Sequence, residues 1–519
     1  MVNRFNDFIF KYKGLSKIHY VNCLNKLSRG IINQQKDRIN IDYIPLLMSK
    51  QQLINKIFFS VKNNVETPLK ITGQQLLTYS LKDNICVKAE DDKTTCNSSM
   101  LWEYKSPFNS TIYDILSKES NLKFIGKTRL DEFAMGSMGI NGPNFNPKDV
   151  LNPLFPDRVP GGSSSGSAAS VSGGLVDFSL GTDTGGSVRL PASWCGTMGF
   201  KPSYGKISRY GVVDMAQSLD TVGVISNDID KIYHVFKLLD QYDPKDTTSL
   251  PEELRFRPPQ QDLKSEWKIG IPREICIDLC DPIIWNKFEE TLHKLLSVPG
   301  VTLHPVSIPS LKLSLPIYYT LCPSEVASNL ARYDGVRYGS REKNEFEDQD
   351  NDTDITLFAS TRSKHFGKEV KRRIMLGNHT LSSGSYQNNY LKAQRLRMRL
   401  IDEFNSIFQV RNVLMGKTEI KTNSDEGIDF MLVPTSLTPP PKMDDVVKSQ
   451  TNKQQEENPV TNYMNDFFTV PMSLAGLPTI SIPMSLKSNL GVQIVGQYGD
   501  DYKVLNFAKN VMINSNVST

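Results

Sequence analysis

Histidine is scarce in this chain. Its 519 residues hold six, at positions 19, 234, 293, 304, 365 and 379, and none sits in a glycine-rich or turn context. A hydrolase that works through imidazole needs a histidine set against a serine presented by a tight turn, so that chemistry finds no seat here. Cysteine is sparse as well. The seven are scattered, no C-x-x-C occurs, and Cys276 and Cys280 stand four apart without matching histidines. That spacing excludes an ordinary zinc site and leaves reduced thiols. No apolar run reaches the length needed to cross a bilayer. Net charge is only +4, so nothing in the balance demands a nucleic-acid partner. The phosphate cradle G-x-x-x-x-G-K-[ST] is missing, and no G-x-G-x-x-G opens a strand–helix–strand unit.

What is present describes a folded protein. Hydrophobic residues make up 39% and charged residues 22%, enough for an ample core. The length permits one large domain or two to three ordinary ones. The first 36 residues stand apart. Arg4, Lys11, Lys13, Lys17, Lys26, Arg29 and Lys36 face a single acid, Asp7, with Phe5, Phe8, Ile9, Phe10 and Leu15 between them. A basic, acid-poor, amphipathic segment of this kind is what organelle import machinery reads, and residues 1–36 are taken as a targeting leader. The competing reading is a surface helix with lysines, since the segment is richer in Lys than in Arg.

Along the rest of the chain, helical and extended patterns alternate. "DYIPLLMSKQQLINKIFFSVKN" has helix-spaced apolar residues, and "QQLLTYSLKDNICVKAE" reads as a strand running into a turn. Residues 111–126 suggest a helix followed by the strand "LKFIGKT". "WKIGIP" is a strand and "IIWNKFEETLHKLL" a helix; later strands fall at "IDFMLVP" and "PTISIP". Residues 171–180 fit a helix, a strand, or one then the other. This alternation argues for an α/β fold, with residues 37–519 as a single domain. Polar excursions are expected as surface insertions near 240–265, 342–356, 415–428 and 439–459.

Residues 161–211 hold 12 of the 33 glycines, in "PGGSSSGSAASVSGG" and "LGTDTGGSVRLP". Three templates fit this stretch poorly. Gly162-Ser163-Ser164-Ser165-Gly166 satisfies G-x-S-x-G, but the preceding "NPLFPDRVP" is broken by proline where that motif needs a strand. Ser203 and Lys206 match S-x-x-K, yet no S-D-N or K-T-G follows. A phosphate cradle lacks its lysine. What survives is a serine activated without histidine. The run ending at Ser187 offers consecutive amides at Thr184, Gly185, Gly186 and Ser187, with little side chain in the way. Amides converging on one point form an oxyanion hole, where loss of one donor costs ~3–4 kcal/mol of barrier. A lysine freed of its proton by desolvation can serve as base. Lys82, at the end of the strand "SLK", can reach into a covered pocket.

At these residues the chain resembles the amidase signature family. "KDNI", "GKTRLDEFAMGS", "PGGSSSGSAASVSGG", "LGTDTGGSVRLPASWCGTMGFKPSYGKISRYGVV" and "SLDTVG" occur in order and at family spacing, and the likeness spans roughly residues 75–500. "SEVASNLARYDGVRYG", "FGKEVKRRIMLG" and "NDFFTVPMSLAGLPTISIP" are similar to the branch of glutamyl-tRNA(Gln) amidotransferase A subunits, the mitochondrial ones above all. The resemblance implies a central mixed β-sheet covered by helices on both faces. It implies a Ser-Ser-Lys triad in which Ser187 is the nucleophile and Ser163, in a cis peptide, bridges it to Lys82. It also implies Arg373 for a glutamine α-carboxylate, Asp466 for its α-amino group, and Tyr318 lining the pocket. Read from the residues alone, Arg373 could be a helix-surface cation and Asp466 a helix cap.

The likeness further implies no cofactor in this chain. Its expected partners are a B subunit that uses ATP and Mg on Glu-tRNA(Gln) and a small third subunit. Ser165 departs from the family, standing where glycine is frequent, and its hydroxyl could compete for the triad's hydrogen bonds. The alternatives are a stand-alone amidase for another carboxamide and a catalytically silent scaffold.

Overall fold

The computed structural model describes residues 50–61, 76–88, 92–143, 152–255, 266–342, 358–415, 427–451, 463–485 and 488–513. The leader expected at 1–36, and most of the insertions at 342–356 and 415–428, lie outside the described residues.

Short apolar runs bounded by Gly, Pro and Asp become strands: β1 Phe58–Val61, β2 Leu77–Lys82, β3 Leu122–Thr128, β4 Phe178–Asp183, β5 Met198–Lys201 and β6 Thr221–Ser226. They continue with β7 Trp267–Pro272, β8 Val301–Val306, β9 Phe430–Pro434, β10 Thr479–Pro483 and β11 Gly491–Val495. All join one 11-stranded sheet in the order β1-β3-β2-β4-β6-β5-β10-β11-β9-β7-β8. The sheet is mixed, as expected. β2 runs parallel to β3 and β4, and β7 parallel to β8 and β9, while the remaining neighbours pair antiparallel. Every residue of β4, β5, β6, β9 and β11 is buried. Successive side chains of a strand point to opposite faces, so both faces are covered.

The ambiguous stretch at 171–180 resolves into a helix, Ser165–Ser172, followed by β4. That helix is built of Ser, Gly, Ala and Val and is buried from Ser165 to Val171. It lies against β2, β3, β4 and β6. Small side chains let it press close to the sheet, so the serine–glycine richness serves close packing and not a linker. Two longer helices, Ser314–Leu330 and Lys368–Leu381, pack against each other, which brings Tyr318 and Arg373 to one region.

The described parts of two expected surface insertions, 240–255 and 439–451, are tied to the body of the fold. In the 240–265 stretch, Arg255 is buried and reaches Asp240 Oδ1 at 2.5 Å, with further bonds to Lys206 O at 2.8 Å and Leu250 O at 2.8 Å. Near 439–459, Met443 and Val446 pack with Leu190 and Trp194, and Arg158 Nη1 donates to Pro440 O at 2.6 Å. A polar, proline-rich composition reports solvent on one side of a segment and says nothing of its other side.

Candidate active site

Lys82 is the last residue of β2, beside the carboxyl end of parallel β4. Its Nζ donates to Ser163 Oγ at 2.8 Å, Thr182 Oγ1 at 2.9 Å and Thr182 O at 3.3 Å. Burial penalises the ammonium and pulls the group from its ordinary 10.5 down to about 7, against the opposing pull of Asp131, Asp183 and Asp220. Burial alone does not mark this lysine. Lys82, Lys127, Lys201 and Lys206 are all 0% exposed. Lys127 pairs with Asp83 at 3.0 Å and Lys206 faces Asp240 at 3.5 Å. Lys201 donates to the carbonyls of Pro202 and Leu477 and is likewise brought to about 7. Of the four, Lys82 is the one whose amine meets a serine oxygen.

The loop carrying Ser163 is held by backbone. The Gly162–Ser163 peptide is cis. Asp131 N donates to Ser163 O at 3.2 Å, and Gly162 N to Ser137 O at 2.9 Å. A Cβ on Gly162 would stand 2.0 Å from Asp131 Oδ2, so only glycine lets the loop pass this carboxylate. Asp131 accepts the amides of Gly139 at 3.0 Å and Asn141 at 2.8 Å, and burial raises it to about 6. The competing serines have other duties. Ser164, the centre of the literal G-x-S-x-G, is buried and donates to Thr182 O at 3.2 Å. Ser203 Oγ donates to Asp501 Oδ2 at 2.7 Å and makes no hydrogen bond to the Lys206 amine among the described residues; the two residues meet only through the backbone, Lys206 N donating to Ser203 O at 3.1 Å. Ser165 makes no hydrogen bond to Lys82, Ser163 or Ser187 among the described residues.

Ser187 follows β4 and is only partly buried, whereas Lys82 and Ser163 are wholly buried. Its carbonyl accepts Ser164 N at 3.1 Å. Among the described residues no hydrogen bond joins Ser163 Oγ to Ser187 Oγ, and the amides of Gly185, Gly186 and Ser187 meet no backbone acceptor. The loop is fixed by its flanks. Thr184 Oγ1 donates to Asp220 Oδ1 at 2.6 Å, and Thr469 Oγ1 to Gly185 O at 2.6 Å. Gly186 has φ +139°, and a Cβ there would lie 2.3 Å from Thr469 Oγ1. Beneath it, Asp183 and Arg189 form a wholly buried pair at 2.8 Å, and Asp183 Oδ2 also accepts Val188 N at 3.2 Å.

Tyr318, Arg373 and Asp466 come together beside this loop. The Tyr318 ring is buried so close to Gly185 that a Cβ there would be 2.8 Å from its Cζ. Arg373 is buried, not a surface cation: its Nε donates to Glu369 Oε1 at 2.8 Å, and its guanidinium lies 5.7 Å from the Tyr319 ring and 5.9 Å from that of Tyr463. The Asp466 side chain caps no helix. It accepts Tyr319 OH at 2.9 Å and Ser137 Oγ at 3.0 Å, and burial raises it to about 6. Sequence reasoning did not single out Thr182, Ser137, Tyr319, Glu369 or Tyr463. Glu369 at helical spacing before Arg373 was the available signal; the others approach only through tertiary structure.

The Amidase family model matches residues 77–505. Over 473 residues, 90% of this chain and 97% of the relative, the sequence is 47% identical to the A subunit of the mitochondrial glutamyl-tRNA(Gln) amidotransferase of Eremothecium gossypii. Identity to the Candida albicans protein of the same name is 46% over 434 residues, 84% of this chain and 91% of the relative. The crystal structure of the glutamyl-tRNA(Gln) amidotransferase A subunit from Thermotoga maritima matches with a TM-score of 0.66 at 33% identity, covering 89% of this chain and 90% of that one. A 6-aminohexanoate cyclic dimer hydrolase, at 19% identity and a TM-score of 0.63 over 84% of each chain, shares the fold. The chain therefore belongs to the amidase signature family and, within it, to the mitochondrial glutamyl-tRNA(Gln) amidotransferase A subunits.

Proposed function

We propose that this chain is the glutaminase subunit of a matrix amidotransferase, releasing ammonia from glutamine through Lys82, Ser163 and Ser187. The observation that carries the reading is a single contact: the buried Lys82 amine, lowered to about 7, stands 2.8 Å from Ser163 Oγ. The neutral amine takes the proton of Ser163, which takes that of Ser187. Ser187 Oγ attacks the side-chain carboxamide carbon, and the oxyanion rests on the amides of Thr184, Gly185, Gly186 and Ser187. The proton returns to the departing nitrogen, ammonia leaves, and water cleaves the glutamyl ester to glutamate and free Ser187. The Ser163–Ser187 link closes when substrate is bound, as catalytic hydrogen bonds commonly do. Arg373 takes the α-carboxylate, Asp466 the α-ammonium, and Tyr318 walls the side chain. A charge pair of this kind suits an amino acid and penalises a plain amide.

Ammonia is then consumed elsewhere. A B subunit that activates Glu-tRNA(Gln) with ATP and Mg receives it, and a small third subunit completes the assembly. Ammonia release by the purified complex tests the reading: Ser187→Ala should abolish it with the complex intact. Release equal to wild type would leave the chain a scaffold.

A further inference from the structure

The substrate end of the site holds one more acid than a zwitterion requires. Glu369 is largely enclosed, its side chain 11% exposed against 4% for Arg373. Its Oε1 accepts Arg373 Nε at 2.8 Å and Tyr463 OH at 3.0 Å, and its Oε2 accepts Arg372 Nη1. Burial would raise this carboxyl, yet Arg373, Arg372 and Tyr463 together hold it below the usual range. Tyr463 stacks on Tyr319 with ring centroids 4.2 Å apart, and Tyr319 OH binds Asp466. The stacked rings thus stand between the two acids, one phenol on each, with the Arg373 guanidinium beside both. A guanidinium is planar and presents its donors in fixed directions. With Nε committed to Glu369, the Nη1–Nη2 fork finds no acceptor among the described residues.

We propose that Glu369 is the positioning residue of the glutamine site. By taking the Nε edge of Arg373 it turns the Nη fork toward the substrate's α-carboxylate, and so restricts the enzyme to carboxamides carried on an α-amino acid. This inference rests on the assignment of Arg373 to the α-carboxylate. Glu369 touches no reacting atom; it acts through Arg373.

The test compares two substrates of the assembled enzyme: glutamine, and 4-aminobutanamide, which is glutamine without its α-carboxylate. Glu369→Ala should lower kcat/KM for glutamine about tenfold or more through KM, the loss of a charge-assisted bond, and leave 4-aminobutanamide unchanged. Added to Arg373→Ala, it should cost nothing further. Glu369→Gln keeps a carbonyl oxygen for Nε and should recover most of the loss. Equal losses on both substrates, or a full additional loss in the Arg373→Ala background, would overturn the proposal. Should Glu369→Ala not fold, Glu369→Gln carries the test, its smaller loss again confined to glutamine. If Arg373→Ala fails to discriminate the two substrates, the carboxylate assignment itself falls. If Arg373→Ala discriminates and Glu369→Ala does not, only the role given to Glu369 falls.

Discussion

Arg189→Met should be among the most destabilising substitutions in the chain. Arg189 and Asp183 are both 0% exposed and paired at 2.8 Å. The guanidinium also donates to Thr469 O, Gln493 Oε1 and Ser473 Oγ at 2.9, 2.9 and 2.8 Å. Removing one member of a buried pair costs about 3–5 kcal/mol, because the other charge stays behind without compensation. Three acceptors lose a donor as well, adding about 1 kcal/mol once their overlap with the first contribution is discounted. The expected loss is therefore about 4–6 kcal/mol at neutral pH. It should depend on pH with a definite sign. Arg189 now holds Asp183 below the usual carboxylate range in spite of burial. Without it, burial raises that carboxyl, so the penalty is largest where Asp183 must be charged and shrinks as falling pH lets it protonate. Urea unfolding of the purified enzyme at several pH values reads both effects as midpoint shifts. Adding Asp183→Asn should recover part of the stability, because it removes the buried charge that Arg189→Met leaves unpaired. A penalty under about 1 kcal/mol, or one independent of pH, would refute this reasoning.

Other outcomes follow from the same geometry. Only a neutral amine accepts a proton, so kcat/KM for glutamine should fall about tenfold for each pH unit below about 7, and Lys82→Arg, cationic throughout, should be inactive. At pH 7 burial leaves roughly three orders of magnitude more neutral amine than an exposed lysine would have. Asp466 must be ionised to hold an ammonium, so KM should rise as pH falls through about 6, and Asp466→Asn should raise KM and flatten that dependence. Gly186→Ala should cost at least a hundredfold in kcat, because its methyl would meet Thr469 Oγ1 at 2.3 Å on a backbone of φ +139°; activity within about twofold of wild type would contradict the packing of that loop.

Much of the sheet is legible because runs such as "WKIGIP" and "PTISIP" are apolar, short and bounded by helix breakers. The helix Ser165–Ser172 is not, since serine, alanine and glycine carry no hydrophobic period to follow. Lys82 is legible as a long cation at a strand end, but three other lysines are equally buried. Only the tertiary fold sets a serine against one amine and carboxylates or carbonyls against the rest. Ser163 and Asp466 depend on resemblance for the same reason. Ser137 and Asp466 lie 329 positions apart and meet at 3.0 Å, a distance no local pattern encodes. The burial of Arg255 is not legible, because its surroundings are carbonyls and a carboxylate, a polar core that composition does not distinguish from a solvated loop.

The most direct test is titration of the Lys82 amine itself, through its Nζ resonance in the assembled enzyme, identified by its disappearance in Lys82→Arg. A midpoint at about 7, matching the acid limb of ammonia release, is the predicted result. An amine that stays cationic up to the ordinary 10.5 while glutamine is still consumed at neutral pH would contradict it.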